Sequence, residues 1–377
     1  MTPEIKQAAY QLGFNLVYIT SAAPLEEDAA RFQSWCEAGF AGDMAYMTRN
    51  TALNSAPNQL FPSARSIISL GTNYYEAAAR FEQNGRRGRV ARYAWGRDYH
   101  NCIKERLKEL HREIERIVGR EVKARIFVDA VPLLERAIGQ RAGLGFFGKN
   151  TNLLTRSYGS WFFISEILVD LDLAPDQPAQ GSCGKCVRCL DDCPTAAIVA
   201  PFQVDSRLCI SYLTIENKGA IPIELREKIG DWVFGCDVCQ DVCPFTRFAK
   251  ETNWDQLKPH TGVGPALDLI ETLSIKTDAE FRQRFHATAL LRPKRRGLLR
   301  NAAVVAANIH CEEAIPVLID LATGDAEPLI RGHSVWALAR LGGHSVKAIL
   351  EKVAKWDEDE SVRREALHGL ETELDAD

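Results

Sequence analysis

Seven of the eleven cysteines of this 377-residue chain stand in two runs whose spacing limits what the middle of the molecule can fold around. The first is Cys183-x2-Cys186-x2-Cys189-x3-Cys193-Pro194 and the second is Cys236-x2-Cys239-x3-Cys243-Pro244. Two-residue gaps let one tight loop place successive thiolates on adjacent metal atoms. The Cys-Pro junction then turns the chain away toward a neighbouring site. Zinc is the competing ligand for paired CxxC motifs. A three-cysteine run and two matching Cys-Pro endings are not zinc-ribbon spacing, however. Clustered cysteines in a large chain whose N-terminus has no signal-peptide pattern read as metal or redox ligands rather than disulfides.

The first run has the bacterial ferredoxin spacing, in which three cysteines wrap one [4Fe–4S] cubane and the fourth ligates a second. The second run is one cysteine short, and upstream Cys209 is the natural replacement. Crossed pairing then assigns one cluster to Cys183, Cys186, Cys189 and Cys243. The other falls to Cys193, Cys209, Cys236 and Cys239. Cys36, Cys102 and Cys311 are isolated and read as ordinary thiols.

The rest of the chain divides by pattern. Residues 1–175 alternate helical and strand-like stretches. MTPEIKQAAYQLGF reads as an amphipathic helix, and Asn101–Val118 as another. Ser66–Leu70, Arg125–Val128 and Trp161–Val169 read as strands, and Pro132 opens a helix to Arg141 with Gly143 as its C-terminal cap. This is an α/β domain. The Pro-, Gln- and Gly-containing linker Ala174–Ser182 leads to a ferredoxin-like domain over 176–250, followed by a connecting segment over 251–289. From 290 to 377 the chain is helical and repetitive. LLRNAAVVAAN, LIRGHSVWALARLG and SVRREALHGL align, and Arg300, Arg331 and Arg363 recur at spacings of 31 and 32 residues. That period implies a short α-solenoid of HEAT-like repeats.

Gly143-Leu-Gly145-Phe-Phe-Gly148-Lys149-Asn150 matches G-x-G-x-x-G and nearly matches a phosphate-binding loop. Both readings require a strand before and a helix after. Here a helix precedes, a polar turn and strand follow, and Asn150 stands where a Ser or Thr hydroxyl is needed. The loop is not read as a nucleotide site, though glycines that let backbone approach some other large cofactor stay open.

A net charge of −4 conceals a basic stretch at 281–300 that holds seven Arg or Lys residues and no acid. Such a stripe suits a phosphate backbone, or is simply a solvated face. The longest apolar run, near Trp161–Leu168, is interrupted by Glu166 and is far too short to span a membrane. These features lead to the expectation of a cytoplasmic protein.

Taken together, VDAVPLLERAIGQRAGLGFFGKNTNLL, YGSWFFISEIL, the cysteine motifs, RLCISYLTIENKG and GCDVCQDVCP resemble the epoxyqueuosine reductases over nearly the whole chain. The resemblance implies base-off cobalamin in the N-terminal domain beside two [4Fe–4S] clusters. It also implies a tRNA substrate whose wobble nucleoside is reduced from epoxyqueuosine to queuosine, the last step of queuosine biosynthesis. Clusters pass single electrons, so a cofactor that accumulates reducing equivalents must adjoin them. Removing the oxygen as water needs two electrons and two protons, hence a proton donor. The resemblance makes Asp129 that donor; facing apolar Phe127, Ala130 and Val131, its pKa would rise. The residue-level alternative is an Asp that satisfies free backbone N–H groups at a helix start. The resemblance further implies corrin contacts at Asp129, Leu153, Ile164, Ser211, Asp237 and Val238, and tRNA contact at Lys218. The basic run Arg292–Arg300, with Arg295 and Arg296, is expected to grip the anticodon stem. An external low-potential donor and a monomeric state complete the expectation. Two alternatives remain at this point: a small-molecule cobalamin reductase of the reductive-dehalogenase kind, and a non-enzymatic electron-transfer module fused to a helical-repeat adaptor.

Overall fold

The computed structural model describes residues 1–49, 51, 55–77, 85–129 and 133–374. Two compact units interleave along the chain. The first comprises Met1–Ala77, Gly96–Arg207 and Asp237–Thr261; the second comprises Ala78–Trp95, Leu208–Cys236 and Gly262–Asp377.

The first unit is built on a four-stranded sheet of β1 (Leu16–Ser21), β2 (Ser66–Asn73), β3 (Ala124–Phe127) and β4 (Phe162–Val169) in the order β1-β2-β4-β3. Every pairing is antiparallel. The alternation of helix and strand in the sequence therefore produces a layered α/β unit without a parallel βαβ core. β4 lies between two partners, so its residues are almost all buried, and that is why its sequence is a near-continuous apolar run. Glu166 breaks the run at the centre of the sheet, opposite Ser69 on β2 and Phe127 on β3.

Three helices cover this sheet: α1 (Thr2–Gln11), α2 (Tyr99–Val118) and α3 (Glu135–Ala142). α2 begins where the Asp98 side chain accepts the His100 amide, and it ends at Gly119 with φ of 73°. It buries Ile103, Leu107, Leu110 and Ile114, one helical stripe. α3 starts at Glu135 rather than at Pro132, which lies outside the described residues together with Ala130 and Val131. Its Ala137 and Ile138 pack on Ile67, Phe127 and Leu168. Gly143 closes it in the left-handed conformation, φ 110°, as expected. A two-stranded hairpin, Phe146–Phe147 with Leu153–Leu154, follows.

The second unit contains a three-stranded sheet of Arg87–Val90, Trp232–Phe234 and Ala266–Asp268. Its C-terminal part is a stack of α4 (Lys294–Asn308), α5 (Ile315–Gly324), α6 (Pro328–Leu341), α7 (His344–Trp356) and α8 (Glu360–Leu374). Two of the three recurring arginines share a structural use. Arg331 donates to the carbonyls of Asp325 and Ala326, and Arg363 to those of Asp357 and Glu358. Each thus closes the turn ahead of its own helix, and Arg331 also pairs with Asp357 of the next turn at 2.8 Å. No described helix is long and apolar enough to cross a membrane.

Candidate functional site

Four of the expected ligands meet in the first unit. Cys183, Cys186, Cys189 and Cys243 line one cavity of about 130 Å³, closed on its other sides by Leu154, Pro244 and Phe245. Burial, and after it the neighbouring thiols of Cys183, Cys243 and Cys186, push the Cys189 thiol up to about 11. Burial raises Cys243 as well. Thiolates crowded this way are tolerable only around a positively charged core, so the donor set fits an iron–sulfur cluster. Among the described residues, no three His, Cys, Asp or Glu side chains gather closely enough to share one ion. None of the eleven cysteines is in a disulfide. Cys193 and Cys239 also belong to the first unit, while Cys209 and Cys236 belong to the second.

The glycine loop that imitates a phosphate site turns out to brace these cysteines. Lys149 Nζ donates to the carbonyls of Gly184 at 3.0 Å and Cys186 at 2.8 Å, and Asn150 Nδ2 donates to the carbonyl of Cys239 at 3.2 Å. Gly148 lets the Asn150 and Leu154 side chains close over the loop: a Cβ there would sit 2.7 Å from Asn150 Oδ1 and 2.9 Å from Leu154 Cδ1, so both would have to shift. Sequence reasoning saw the loop and its glycines but not its partners, which lie 35 to 89 residues away.

Asp129 lies just past β3 with φ of 47°, a left-handed conformation that Asp tolerates better than most residues. Its side chain is 62% exposed. Tyr99 Oη donates to Asp129 Oδ2 at 2.5 Å, and the Asp129 amide donates to Glu135 Oε1 at 2.9 Å. His100 Nε2 stands 3.9 Å from the same carboxylate oxygen. Among the described residues, Asp129 is therefore held by polar groups from α2 and α3, while Ala130 and Val131 of the expected apolar surroundings lie outside the described residues.

The burial expected at Asp129 falls on two glutamates instead. Glu135 is pushed up to about 8, first by desolvation and then by the charge of Asp129. Glu166 is fully buried, neither oxygen has a hydrogen-bond partner among the described residues, and desolvation followed by Glu135 and Asp129 holds it well above the carboxylate range. The only trace of this in the sequence is the acidic residue interrupting an apolar strand.

Among the remaining expected residues, Leu153 and Ile164 share one cluster with Leu16, Leu144 and Phe162. Leu153 is buried there and Ile164 half-buried. In the same unit, Asp237 is buried and Val238 half-buried at the start of the short turn Val238–Asp241. In the second unit, Ser211 is half-buried in the first turn of the helix Ile210–Ile215.

Lys218 is exposed in the loop that follows this helix, and its carbonyl accepts Arg296 at 2.6 Å. The basic run, however, is largely consumed inside the second unit. Arg292 grips Glu216 through two bonds of 2.8 and 3.0 Å. Arg295 is buried against Asp325 and donates to the Ile275 carbonyl, so it is a structural residue and not a phosphate contact. Arg300, fully buried, donates to the carbonyls of Leu213, Asn217 and Gly219. Period and composition cannot distinguish a solvated arginine from one that ties a loop, because both satisfy the same sequence pattern.

Comparison with known proteins follows the same division. The family model described as Epoxyqueuosine reductase QueG, DUF1730 matches residues 55–130, a 4Fe-4S double cluster binding domain matches 182–246, and HEAT repeats match 287–371. An epoxyqueuosine reductase of Pseudomonas aeruginosa is 44% identical over 349 residues, covering 91% of this chain and 95% of that protein. One from Escherichia coli is 40% identical over 343 residues, covering 90% and 89%. The crystal structure of an epoxyqueuosine reductase with an epoxyqueuosine-modified tRNA-Tyr stem loop superposes with a TM-score of 0.90 at 30% identity, over 98% of this chain and 97% of that one. A Bacillus subtilis enzyme captured with its catalytic aspartate loop swung out of the active site gives 0.90 at 29% identity, covering 98% of each chain.

Proposed function

The chain belongs to the epoxyqueuosine reductases, and from that premise we propose how its residues divide the work of reducing epoxyqueuosine to queuosine at the wobble position of tRNA. It is an oxidoreductase of tRNA processing. The carrying observation is that the likeness runs through the N-terminal part, the cysteine motifs and the helical repeats alike. The small-molecule reductase alternative is not favoured, and an electron-transfer adaptor leaves Asp129 and its partners without a task. The chain divides by role into 1–175, 176–250, 251–289 and 290–377.

Cys183, Cys186, Cys189 and Cys243 hold one [4Fe–4S] cluster in the cavity described above. Cys193, Cys209, Cys236 and Cys239 hold the second, on the strength of their spacing and the double-cluster family match. Cobalamin fits the first unit in that half-buried Ile164 rests beside Leu153, an apolar surface for a flat ring. Asp129, Leu153, Ile164, Ser211, Asp237 and Val238 would hold it. When bound it supplies low-valent cobalt able to deliver the two electrons, drawn through the clusters from an external low-potential donor. Asp129 supplies a proton to the epoxide oxygen, with Tyr99 fixing its carboxyl. Lys218 and Arg296 meet the tRNA; Arg295 is withdrawn from that role. The protein works as a cytoplasmic monomer.

The test is anaerobic turnover of reconstituted protein with epoxyqueuosine-containing tRNA and a strong reductant, followed by mass spectrometry of the released nucleosides. Loss of one oxygen mass, dependent on cobalamin and abolished in Asp129→Ala, is the expected result. An unchanged nucleoside with clusters and cobalamin bound would overturn the assignment.

A further inference from the structure

Few large apolar side chains of the first unit are exposed, and three of them, Val187, Val199 and Phe202, lie in the cysteine-bearing segment. Val187 is 41% exposed and stands between Cys186 and Cys189, in the loop that walls the four-cysteine cavity. Phe202 is 54% exposed and has φ of 68°. It is the third residue of the turn Ala200-Pro201-Phe202-Gln203, closed by the Gln203 amide on the Ala200 carbonyl at 3.0 Å. Proline second and positive φ third is the type II pattern, which ordinarily takes glycine or asparagine at that place. Phenylalanine there adds backbone strain to the exposure of an apolar ring, so neither folding nor packing accounts for it. The turn is fixed on both flanks. The Phe202 amide donates to the Lys149 carbonyl at 2.9 Å, and Trp35 Nε1 donates to the Val204 carbonyl at 2.7 Å. Lys149 is the residue whose side chain braces Gly184 and Cys186, so it joins the Phe202 turn to the loop that carries Val187. Lys185 and Arg188 flank Cys186 and Val187; both are exposed, and neither has an acidic partner among the described residues. The acids of the segment, Asp191 and Asp192, come after Cys189, next to Cys193.

Resting on the cluster ligands and the external donor of the preceding section, we propose that Val187, Val199, Phe202, Lys185 and Arg188 are the docking surface for that donor. The partner that fits is an acidic one-electron carrier protein whose own redox centre lies at an exposed edge rimmed by carboxylates. Apolar residues accompanied by unpaired cations complement such a face in both respects. Position selects the same occupant. Arg188 lines the cavity of Cys183, Cys186, Cys189 and Cys243, so a protein seated on this loop approaches that cluster directly. Electron transfer weakens steeply with distance, which makes this wall the productive place to dock. Electron-transfer encounters are small and short-lived, and a few apolar contacts among charged ones suffice for them. The transfer breaks and forms no bond. One electron leaves the reduced carrier and is taken up by the cluster, and two such encounters supply the pair consumed with each epoxide.

The experiment compares holoenzyme of wild type, Phe202→Gly and Lys185→Glu at equal iron and cobalamin content. Glycine suits the turn better than phenylalanine, so Phe202→Gly should fold with an unchanged or higher Tm. The probe is an acidic plant-type [2Fe–2S] ferredoxin. Its binding is first measured by fluorescence anisotropy with both proteins oxidised, so that no electron moves, across a salt series. Loss of the aromatic contact should raise Kd by about tenfold in Phe202→Gly. Lys185→Glu should raise it by about tenfold at low salt and make it less salt-dependent. Reduction of epoxyqueuosine-containing tRNA is then driven either by reduced ferredoxin or by excess dithionite, which needs no docking surface. The KM for ferredoxin should rise in both variants by the same factors as Kd, with dithionite-driven turnover unchanged. Wild-type affinity in both variants, or a wild type that does not bind the ferredoxin, overturns the surface alone. A wild-type dimer that Phe202→Gly dissociates, or tRNA affinity lost in Lys185→Glu, with ferredoxin binding intact, would give the patch to a second copy or to RNA and overturn the carrier. A wild type that leaves the epoxide intact with dithionite overturns the assigned reaction, while the binding series still decides the surface.

Discussion

Arg300→Met separates the electrostatic contribution to tRNA binding from the ordering of the loop proposed to make the contact. Arg300 is fully buried and donates to the carbonyls of Leu213 at 2.5 Å, Asn217 at 2.8 Å and Gly219 at 2.7 Å, and to the side chain of Asn301. Burial, then Arg296 and Arg226, push its pKa down to about 9, so it is still charged at pH 7. Methionine keeps the length of the stem and removes a buried cation, which recovers part of a desolvation cost of several kcal/mol. The carbonyls of Asn217 and Gly219 can turn to water, whereas that of Leu213 is left in a buried helix end at about 1–3 kcal/mol. The folded state therefore loses only about 1–3 kcal/mol. The loop carrying Lys218 loses its anchor, and fixing two or three residues on binding costs about 1–2 kcal/mol each. At 1.4 kcal/mol per tenfold, tRNA affinity should fall by about one to four orders of magnitude. Fluorescence anisotropy across a salt series is the assay. Arg300 reaches no phosphate, so the slope of log affinity against log salt should be unchanged in Arg300→Met. Lys218→Ala should reduce that slope by about one. Wild-type affinity in Arg300→Met, or a reduced salt slope, would refute the reasoning.

Other substitutions test the remaining parts. Asp325→Ala strands the buried Arg295, and breaking a buried pair costs about 3–5 kcal/mol; thermal unfolding should show it, and an unchanged Tm would mean the pair is dispensable. Lys149→Met removes the brace on Gly184 and Cys186 and should lower iron and sulfide retained per chain without any effect on nucleotide binding. Glu135→Gln should act on stability in a pH-dependent way. The unfolded chain ionises Glu135 near 4.5 and the folded chain near 8. Folding must therefore retain a proton through that window, and wild-type stability falls as pH rises across it. The Tm of Glu135→Gln relative to wild type should grow from pH 5 to pH 8, and a constant difference would contradict the raised pKa.

The cysteine runs and their match to a double-cluster domain were legible because a spacing suited to metal coordination fixes residue type and interval together. The strands and helices of the first unit were legible within a few residues: Ser66–Asn73, Phe162–Val169 and Tyr99–Val118 contain or nearly match the periodic segments from which they are predicted. What the sequence concealed depends on pairing. The antiparallel order of the sheet, the use of Lys149 on cysteine loops and the burial of Arg295 are all set by partners distant in the chain. Asp129 illustrates the same point at the site. Its residue type and its place after a strand were visible, but Tyr99, 30 residues earlier, and Glu135, 6 residues later, determine its setting.

One segment of the first unit joins the residue proposed to supply a proton to those that brace the cysteine loops. Asp129 and Glu135 stand at the start of α3, Gly143 ends it, and Lys149 and Asn150 in the hairpin turn hold the cysteine loops. The connection is short and contains a helix and a hairpin, so a displacement at Gly143 reaches both ends. Gly143 has φ of 110°, and a Cβ there would lie 2.7 Å from the Gln177 carbonyl oxygen and 3.0 Å from the Tyr18 ring. Alanine at this position combines left-handed strain of about 1 kcal/mol or more with a clash against backbone that cannot yield like a flexible side chain. Gly143→Ala should therefore lower iron retention and slow single-turnover reduction together. Lys149→Met should move mainly the first quantity and Asp129→Ala the second. Measuring both in all three proteins tests the coupling: a Gly143→Ala protein that loses one property and keeps the other would mean that α3 and the hairpin adjust independently.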